Sequence, residues 1–513
     1  MIRRYRFVTL FFPIVGFILF LNLFASIAQE KPKPGWFKLD YGTDSVYGIS
    51  LNKAERNSLD KKTDSIVIVA VIDGGVDIDH PSLKESLWTN VKEIPNNRID
   101  DDGNGYVDDI HGWNFMASSM GSFQFDNTDL IRQLRQELNK DKHSSKSQEL
   151  QKEVDFKRAT ILPALLETKN NIRILNAISS KIGKTYPSEK DLRNYSYQND
   201  AELKALMMFI KGLKTDVNFL QSYSKQYDRY KNELDYLLNI DYFPRSDSNF
   251  VVKYRGNNDV KGLDPFHGTC VTGVIASGKP IDGVASGRCK IMVIRAVPNG
   301  DLLDADMAMS IKYAVDNGAK IINISAAKSS SPNRRQVDDA VKYAMDKGAL
   351  IVHAAGNEGI EVQEEYGYPS RNYMDGGRAD AWIEVGASGI KNDELLLPWF
   401  SNYGKSVDVF APGVDIYTTD KDNQFSYESG TSVAAPIVSG LAALIWSKYP
   451  FLTGLQVKQI ILKSVFKPIV QVKSVSGKSF NFVDCSISGG IVNAYDALQL
   501  AASDYANGSV QLK

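Results

Sequence analysis

The chain has 513 residues, of which 43% are hydrophobic and 24% charged, an ordinary globular composition in a chain long enough for more than one compact unit. A net charge of −1 offers no electrostatic reason to bind nucleic acid, and no nucleic-acid partner is expected. The three cysteines, Cys270, Cys289 and Cys485, form no Cys-x-x-Cys pair, which argues against a disulfide framework or a thiolate zinc site.

Arg3, Arg4 and Arg6 precede an apolar run over 7–24, and Ser26-Ile27-Ala28 supplies small residues at the spacing of a cleavage site. Residues 1–28 therefore read as a secretory signal peptide, which implies an extracytoplasmic protein; a retained leader would be long enough to act as a membrane tether. Residues 29–64 form a short N-terminal extension. A continuous β-branched run over 66–72 predicts a strand buried on both faces of a parallel sheet. It ends at Asp73-Gly74-Gly75, where open α/β sheets place their sites; an ordinary turn aspartate is the competing reading.

The stretch 100–109 gathers oxygen side chains at the spacing of a calcium loop, with Gly105 at the tight turn. The candidate Ca²⁺ set is Asp100, Asp102, Asn104, Tyr106 and Asp108. His111 stands where a closing glutamate belongs, so the loop is not a complete EF-hand, and a solvated acidic turn is the alternative. Over 118–250 glycine becomes rare and apolar residues recur at helical spacing, as in Leu130, Leu134, Leu138 and in Leu206, Phe209, Leu213. This predicts an inserted all-α subdomain, broken at Pro163 and near Pro187, and a candidate surface for a protein partner.

Beyond it, strand-like runs at 291–297, 320–325, 349–355 and 382–387 alternate with helix-like runs at 304–317 and 333–347. Gly318 and Gly348 close those two helices, and further helices are predicted over 432–448, 453–464 and 493–502. Such alternation predicts an α/β fold, a doubly wound parallel sheet with helices on both faces.

Ser432 opens an apolar helix within Ser-Gly-Thr-Ser, where unpaired N–H groups favour a developing anion. It is either a nucleophile or part of a plainly capped core helix, and a nucleophile needs a base and a group to orient that base. Of five histidines, His80 lies in a turn, His111 ends the acidic loop, His143 falls in the insertion and His353 reads as a core residue. His267, flanked by Gly268 and Thr269, is the accessible one. Asn357, on a glycine-rich turn after a buried strand, offers an amide to hold an oxyanion together with the Ser432 N–H.

Val71-Ile72-Asp73-Gly74-Gly75, His267-Gly268-Thr269, Ala355-Gly356-Asn357 and Gly430-Thr431-Ser432-Val433-Ala434-Ala435-Pro436 resemble, in kind and order, the motifs of subtilisin-like serine peptidases. The resemblance covers about 65–117 and 257–502. It implies a subtilisin-like catalytic domain made of 65–117 and 251–505, with 506–513 as a tail. It also implies a secreted serine endopeptidase that works through an acyl-enzyme. Ser432 would be the nucleophile, His267 the general base and then acid, Asp73 its orienting partner and Asn357 the oxyanion donor. Ser325, Ala326 and Gly356 would pair with an extended protein or peptide substrate. Transfer to an amine, as in a peptide ligase or cyclase, would use the same residues, and a non-catalytic binding protein is a third reading.

Three departures from the family pattern carry expectations of their own. Lys328 follows Ala326-Ala327 where Leu-Gly or Phe-Gly is usual, and would favour acidic substrate side chains. Cys270 replaces a histidine beside the base, and would make the enzyme thiol-sensitive. The insertion lengthens the Asp-to-His interval, and would emerge near the cleft to limit access or recruit a substrate. Residues 29–64 are too few for the family's inhibitory pro-domain and are expected to form a strap.

Overall fold

The computed structural model describes residues 31–59, 65–118, 121–215, 218–245, 256–363 and 366–505. The expected signal peptide, 1–28, and the tail, 506–513, lie outside them. Internal contacts divide the chain into two compact units, one made of 32–155 with 235–513 and the other containing 156–234.

The larger unit is built on a seven-stranded sheet. Its strands are β1 (Val67–Asp73), β2 (Gly112–Asn114), β3 (Cys289–Arg295), β4 (Ile321–Ile324), β5 (Leu350–Ala354), β6 (Trp382–Ser388) and β7 (Val409–Pro412). They lie in the order β2-β3-β1-β4-β5-β6-β7, and all neighbours are parallel. A separate antiparallel hairpin joins β8 (Ile416–Asp420) to β9 (Gln424–Glu428). In chain order the α-helices of seven or more described residues are α1 (Leu51–Asn57), α2 (Asp129–Lys140), α3 (Ser145–Ile182), α4 (Asp200–Thr215), α5 (Phe219–Asn232), α6 (Phe266–Ala276), α7 (Asp304–Asp316), α8 (Arg334–Asp346), α9 (Thr431–Lys448), α10 (Gly454–Lys463) and α11 (Ala494–Tyr505).

Alternation along β1 splits its side chains between two cores. Val69 and Val71 face the cluster that includes α9, whereas Ala70 and Ile72 face the cluster that includes Ile311 of α7 and Val341 of α8. Both faces are therefore covered, as the doubly wound reading predicts. Helix α9 is apolar all round because the sheet and its neighbours enclose it. Trp36, Phe37, Ile49 and Leu51 of the N-terminal extension are buried in the same core, and Trp36 Nε1 donates to the Asp415 carbonyl at 3.2 Å. Strands β2 and β7, at the two edges of the sheet, lie outside the strand-like runs read from the sequence.

The smaller unit has its own core, formed by Ile174, Leu175, Ile178, Leu192, Phe209 and Leu220 among others. Helix α3 runs unbroken through Pro163, contrary to the expected break. The proline ring sits on an exposed position, so the helix loses one backbone donor without a clash against packed neighbours. The compact unit is also narrower than 118–250. Asn127 donates to the Tyr236 and Asn239 carbonyls at 2.8 and 3.0 Å, and Arg135 to those of Ile240 and Tyr242 at 2.9 and 3.1 Å. These bonds, with Phe125 stacked on Tyr236, hold both ends of the added segment in the larger unit.

Candidate active site

Strand β1 delivers Asp73 as its last residue, with a side chain only 4% exposed. Both carboxylate oxygens lie 2.9 Å from His267 Nδ1, and Oδ1 also accepts the Gly74 N–H at 2.7 Å. An anion at this nitrogen fixes the proton there and favours the imidazolium. The Asp73 charge raises the His267 pKa above its ordinary 6.5, against the opposing pull of burial. His267 is the second residue of α6, and its side chain remains 44% exposed. The close approach of α6 to β1 requires Gly268, where a Cβ would stand 2.2 Å from the Gly75 carbonyl oxygen.

Helix α9 begins at Thr431, so Ser432 is its second residue. Asn357 Oδ1 accepts the Thr431 N–H at 2.8 Å, and the Gly430 carbonyl takes the N–H groups of Val433 and Ala434 at 3.3 Å. The Ser432 N–H has no acceptor among the described residues, which leaves it open to an oxyanion. Asn357 Oδ1 also accepts Thr431 Oγ1 at 3.0 Å, so both bonds reserve Nδ2 as the donor end. A Cβ on Gly430 would lie 3.0 Å from Ser432 Oγ and 3.4 Å from Asn357 Nδ2. The Ser432 hydroxyl and the Asn357 amide thus converge on one small space that glycine leaves open. Helix α6 packs on α9, but no hydrogen bond joins His267 to Ser432 Oγ among the described residues. Such bonds often tighten only when substrate binds.

Pro436 stands four residues after Ser432 and removes the helical donor that the Ser432 carbonyl would otherwise receive. Ser325 Oγ donates to that carbonyl instead, at 3.0 Å. Ser325 in turn accepts from Asn323 Nδ2 at 3.0 Å, and Asn323 Oδ1 accepts from Ser439 at 2.8 Å. The hydroxyl of Ser325, read from sequence as a substrate contact, therefore steadies the first turn of α9. The Gly356 N–H donates to Thr431 Oγ1 at 3.2 Å. Beside these groups lies a cavity of about 200 Å³ whose walls include Ala327, Lys328, His353, Gly356, Glu358 and Tyr366.

His353 on the cavity wall is buried, as the sequence suggests, but it is paired with a carboxylate. Its Nδ1 lies 2.7 Å from Glu384 and its Nε2 3.2 Å from the Ala326 carbonyl oxygen. Both nitrogens face acceptors. Burial pulls its pKa down, but the Glu384 carboxylate and the two hydrogen bonds raise it overall. His353 and Glu384 are register partners on adjacent strands, β5 and β6, a pairing that the sequence does not announce.

The sequence profile of the subtilase family (Peptidase_S8) matches residues 64–482. The chain belongs to the subtilase family. It is 33% identical over 248 residues to a thermophilic serine proteinase of Bacillus sp. (strain AK1), covering 47% of this subtilase and 54% of that protein, about half its length. To subtilisin DY of Bacillus licheniformis it is 33% identical over 217 residues, 41% of this chain and 73% of that one. Among solved structures, the prenylagaramide maturation protease PagA shares 26% identity with a TM-score of 0.37, over 46% of this chain and 81% of PagA.

Two expectations for this subtilase are overturned by burial. Cys270 is 1% exposed, and burial pushes its thiol far above the ordinary range, so it is a neutral packed thiol and not a reactive one. The side chain of Lys328 is 2% exposed, with Nζ 2.8 Å from Asp129 and 2.7 Å from Asp304. Its charge is already matched inside the protein and is not available to an acidic substrate side chain.

In the acidic loop, Asp100 and Asp102 gather with Glu93, whose carboxylate oxygens lie within 4.8 Å of theirs. Glu93 stands upstream of the loop, where a search for a closing glutamate downstream does not look. Asp108 accepts the N–H groups of Asn97 and Arg98 at 3.1 and 2.9 Å, and Asn104 Oδ1 accepts that of Tyr106 at 2.8 Å. These oxygens brace the loop. Three carboxylates at one place are hard oxygen donors of the kind that Ca²⁺ requires.

Proposed function

We propose that the chain is an extracytoplasmic serine endopeptidase that cleaves extended peptide segments through Asp73, His267 and Ser432. The reading rests on one observation above the rest, the two Asp73 oxygens at 2.9 Å from His267 Nδ1. That contact holds the proton on Nδ1 and leaves Nε2 as the base. Ser432 Oγ attacks the scissile carbonyl carbon as its proton passes to His267 Nε2. The Ser432 N–H and Asn357 Nδ2–H hold the oxyanion. The imidazolium then protonates the leaving amine, and an ester joins Ser432 to the acyl half of the substrate. Water attacks that ester by the same route in reverse, releasing the acid and restoring the serine.

The substrate backbone lies along the segment that begins at Ser325 and Ala326, and a side chain next to the scissile bond enters the cavity beside Gly356. A Ca²⁺ held by Glu93, Asp100 and Asp102 would neutralise their mutual repulsion and stiffen the loop that leads into β2. Export rests on the leader-like sequence of 1–28. It is supported by a 35% identical relative named a cell wall-associated protease in Bacillus subtilis (strain 168).

The test is fluorophosphonate labelling of the purified protein with calcium present, beside Ser432→Ala. Labelling in the wild type and none in the variant is the expected result. A correctly folded wild type that neither labels nor cleaves casein would overturn the proposal.

A further inference from the structure

A lysine just past a substrate-pairing strand end is normally solvated, because burying an ammonium is costly unless its charge is matched. Here Lys328 is buried between two carboxylates from different elements. Asp129 opens α2, and Asp304 opens α7. The same two carboxylates hold the residues that follow. Asp129 accepts Ser330 Oγ at 3.2 Å, and Asp304 accepts Ser331 Oγ at 2.9 Å and the Asn333 N–H at 2.7 Å. Arg132 binds the other Asp129 oxygen at 2.7 Å and reaches the Asp301 carbonyl at 2.8 Å, while Asp301 Oδ2 accepts the Asp129 N–H at 2.8 Å.

The backbone is pinned as well. Lys328 and Tyr368 exchange N–H···O bonds at 3.0 and 2.9 Å across the cavity wall. At its other end the segment holds the Ser432 carbonyl through Ser325. Residues 325–333 thus run from the helix of the nucleophile to the first helix of the added sequence, with a buried ion cluster as the far anchor.

We infer that α2 is a working wall of the substrate cleft, and that Asp129, acting through Lys328, is a positioning residue that sets segment 325–333 in register for an extended peptide. This rests on the proposed peptidase reading. It assigns the root of the added sequence a role in substrate affinity, for peptides long enough to lie along 325–328. A substrate reduced to one residue does not reach that segment and is indifferent to its register.

The experiment compares wild type, Asp129→Asn and Ser330→Ala as full chains with calcium, on a tetrapeptide p-nitroanilide and on a single-residue p-nitrophenyl ester. Asp129→Asn, which breaks a buried pair, is expected to raise KM for the tetrapeptide about tenfold, with kcat and the ester KM changed less than about threefold. Ser330→Ala removes one hydrogen bond and no charge, and is expected to raise the tetrapeptide KM about threefold. Equal effects on both substrates, or none on either, would overturn the inference. Should Asp129→Asn fail to fold, Ser330→Ala decides on the same criteria.

Amide hydrogen exchange provides a readout without turnover. Exchange in 325–333 should quicken in whichever variant folds, while that in 432–440 holds. Unchanged exchange in 325–333 defeats the inference even in an active enzyme, whereas a wild type that does not label defeats the peptidase reading and leaves the exchange result standing.

Discussion

Replacing Asn357 by alanine removes the amide whose orientation Thr431 dictates. Because the Thr431 N–H and Oγ1 both bond to Asn357 Oδ1, the end that is lost to catalysis is Nδ2. One preorganised donor to a developing oxyanion contributes about 2.7–4 kcal/mol, roughly 100- to 1000-fold in kcat, a range established on the corresponding donor of a subtilisin. The second loss, an acceptor for Thr431, is mild because Asn357 is exposed and water takes its place, so stability should fall by about 1 kcal/mol at most. The expected result is a kcat lower by roughly 100- to 1000-fold with KM within about threefold. Asn357→Asp keeps an acceptor for Thr431 but puts a negative oxygen where the donor stood, so it should be no faster than the alanine variant. The assay is steady-state hydrolysis of a peptide p-nitroanilide, with active sites counted by fluorophosphonate. A loss under about tenfold in Asn357→Ala, or an aspartate variant faster than alanine, would refute the placement of Nδ2 at the oxyanion.

Since the Asp73 charge raises the His267 pKa above 6.5 and the protonated ring cannot act as base, kcat/KM should climb with pH through a midpoint above 6.5. Asp73→Asn should move that midpoint down and lower kcat by about 10⁴-fold, which a pH–rate profile reads directly. The stability contributed by the same pair is present below pH 6.5 and fades as pH rises through the folded value, so an Asp73→Asn stability deficit should shrink in alkali. Gly268→Ala should abolish labelling of Ser432 by forcing α6 off β1, given a Cβ 2.2 Å from the Gly75 oxygen; labelling at the wild-type rate would show that the contact relaxes harmlessly. Calcium at about 100 times its Kd should stabilise the chain by about 2.7 kcal/mol in thermal or urea unfolding, and Glu93→Gln should weaken that response; an identical response in the variant would exclude Glu93 as a ligand.

The sheet and the candidate catalytic residues were legible because each lies at the end of a strongly patterned element and among small neighbours. Asp73 closes a β-branched run, His267 and Ser432 open apolar helices, and Asn357 follows a buried strand. What was not legible depends on partners distant in sequence. Lys328 looked like a free cation because nothing in Ala326-Ala327-Lys328 announces Asp129 or Asp304. Cys270 looked reactive because a string of residues does not state how completely a helix is enclosed. Glu93 escaped notice because the acidic loop gathers a carboxylate from upstream. Pro163 looked like a break because composition cannot say which side of a helix faces water.

The gap that Pro436 opens at the Ser432 carbonyl makes the start of α9 depend on a residue outside the helix. A nucleophile backed by an unbroken helical ladder would keep its position whatever happened at the neighbouring strand end. Here part of that backing is a hydroxyl from Ser325, at the start of the same stretch along which the peptide is proposed to lie. A shift confined to 328–333 leaves that hydroxyl in place, whereas a substitution at Ser325 itself reaches the first turn of α9.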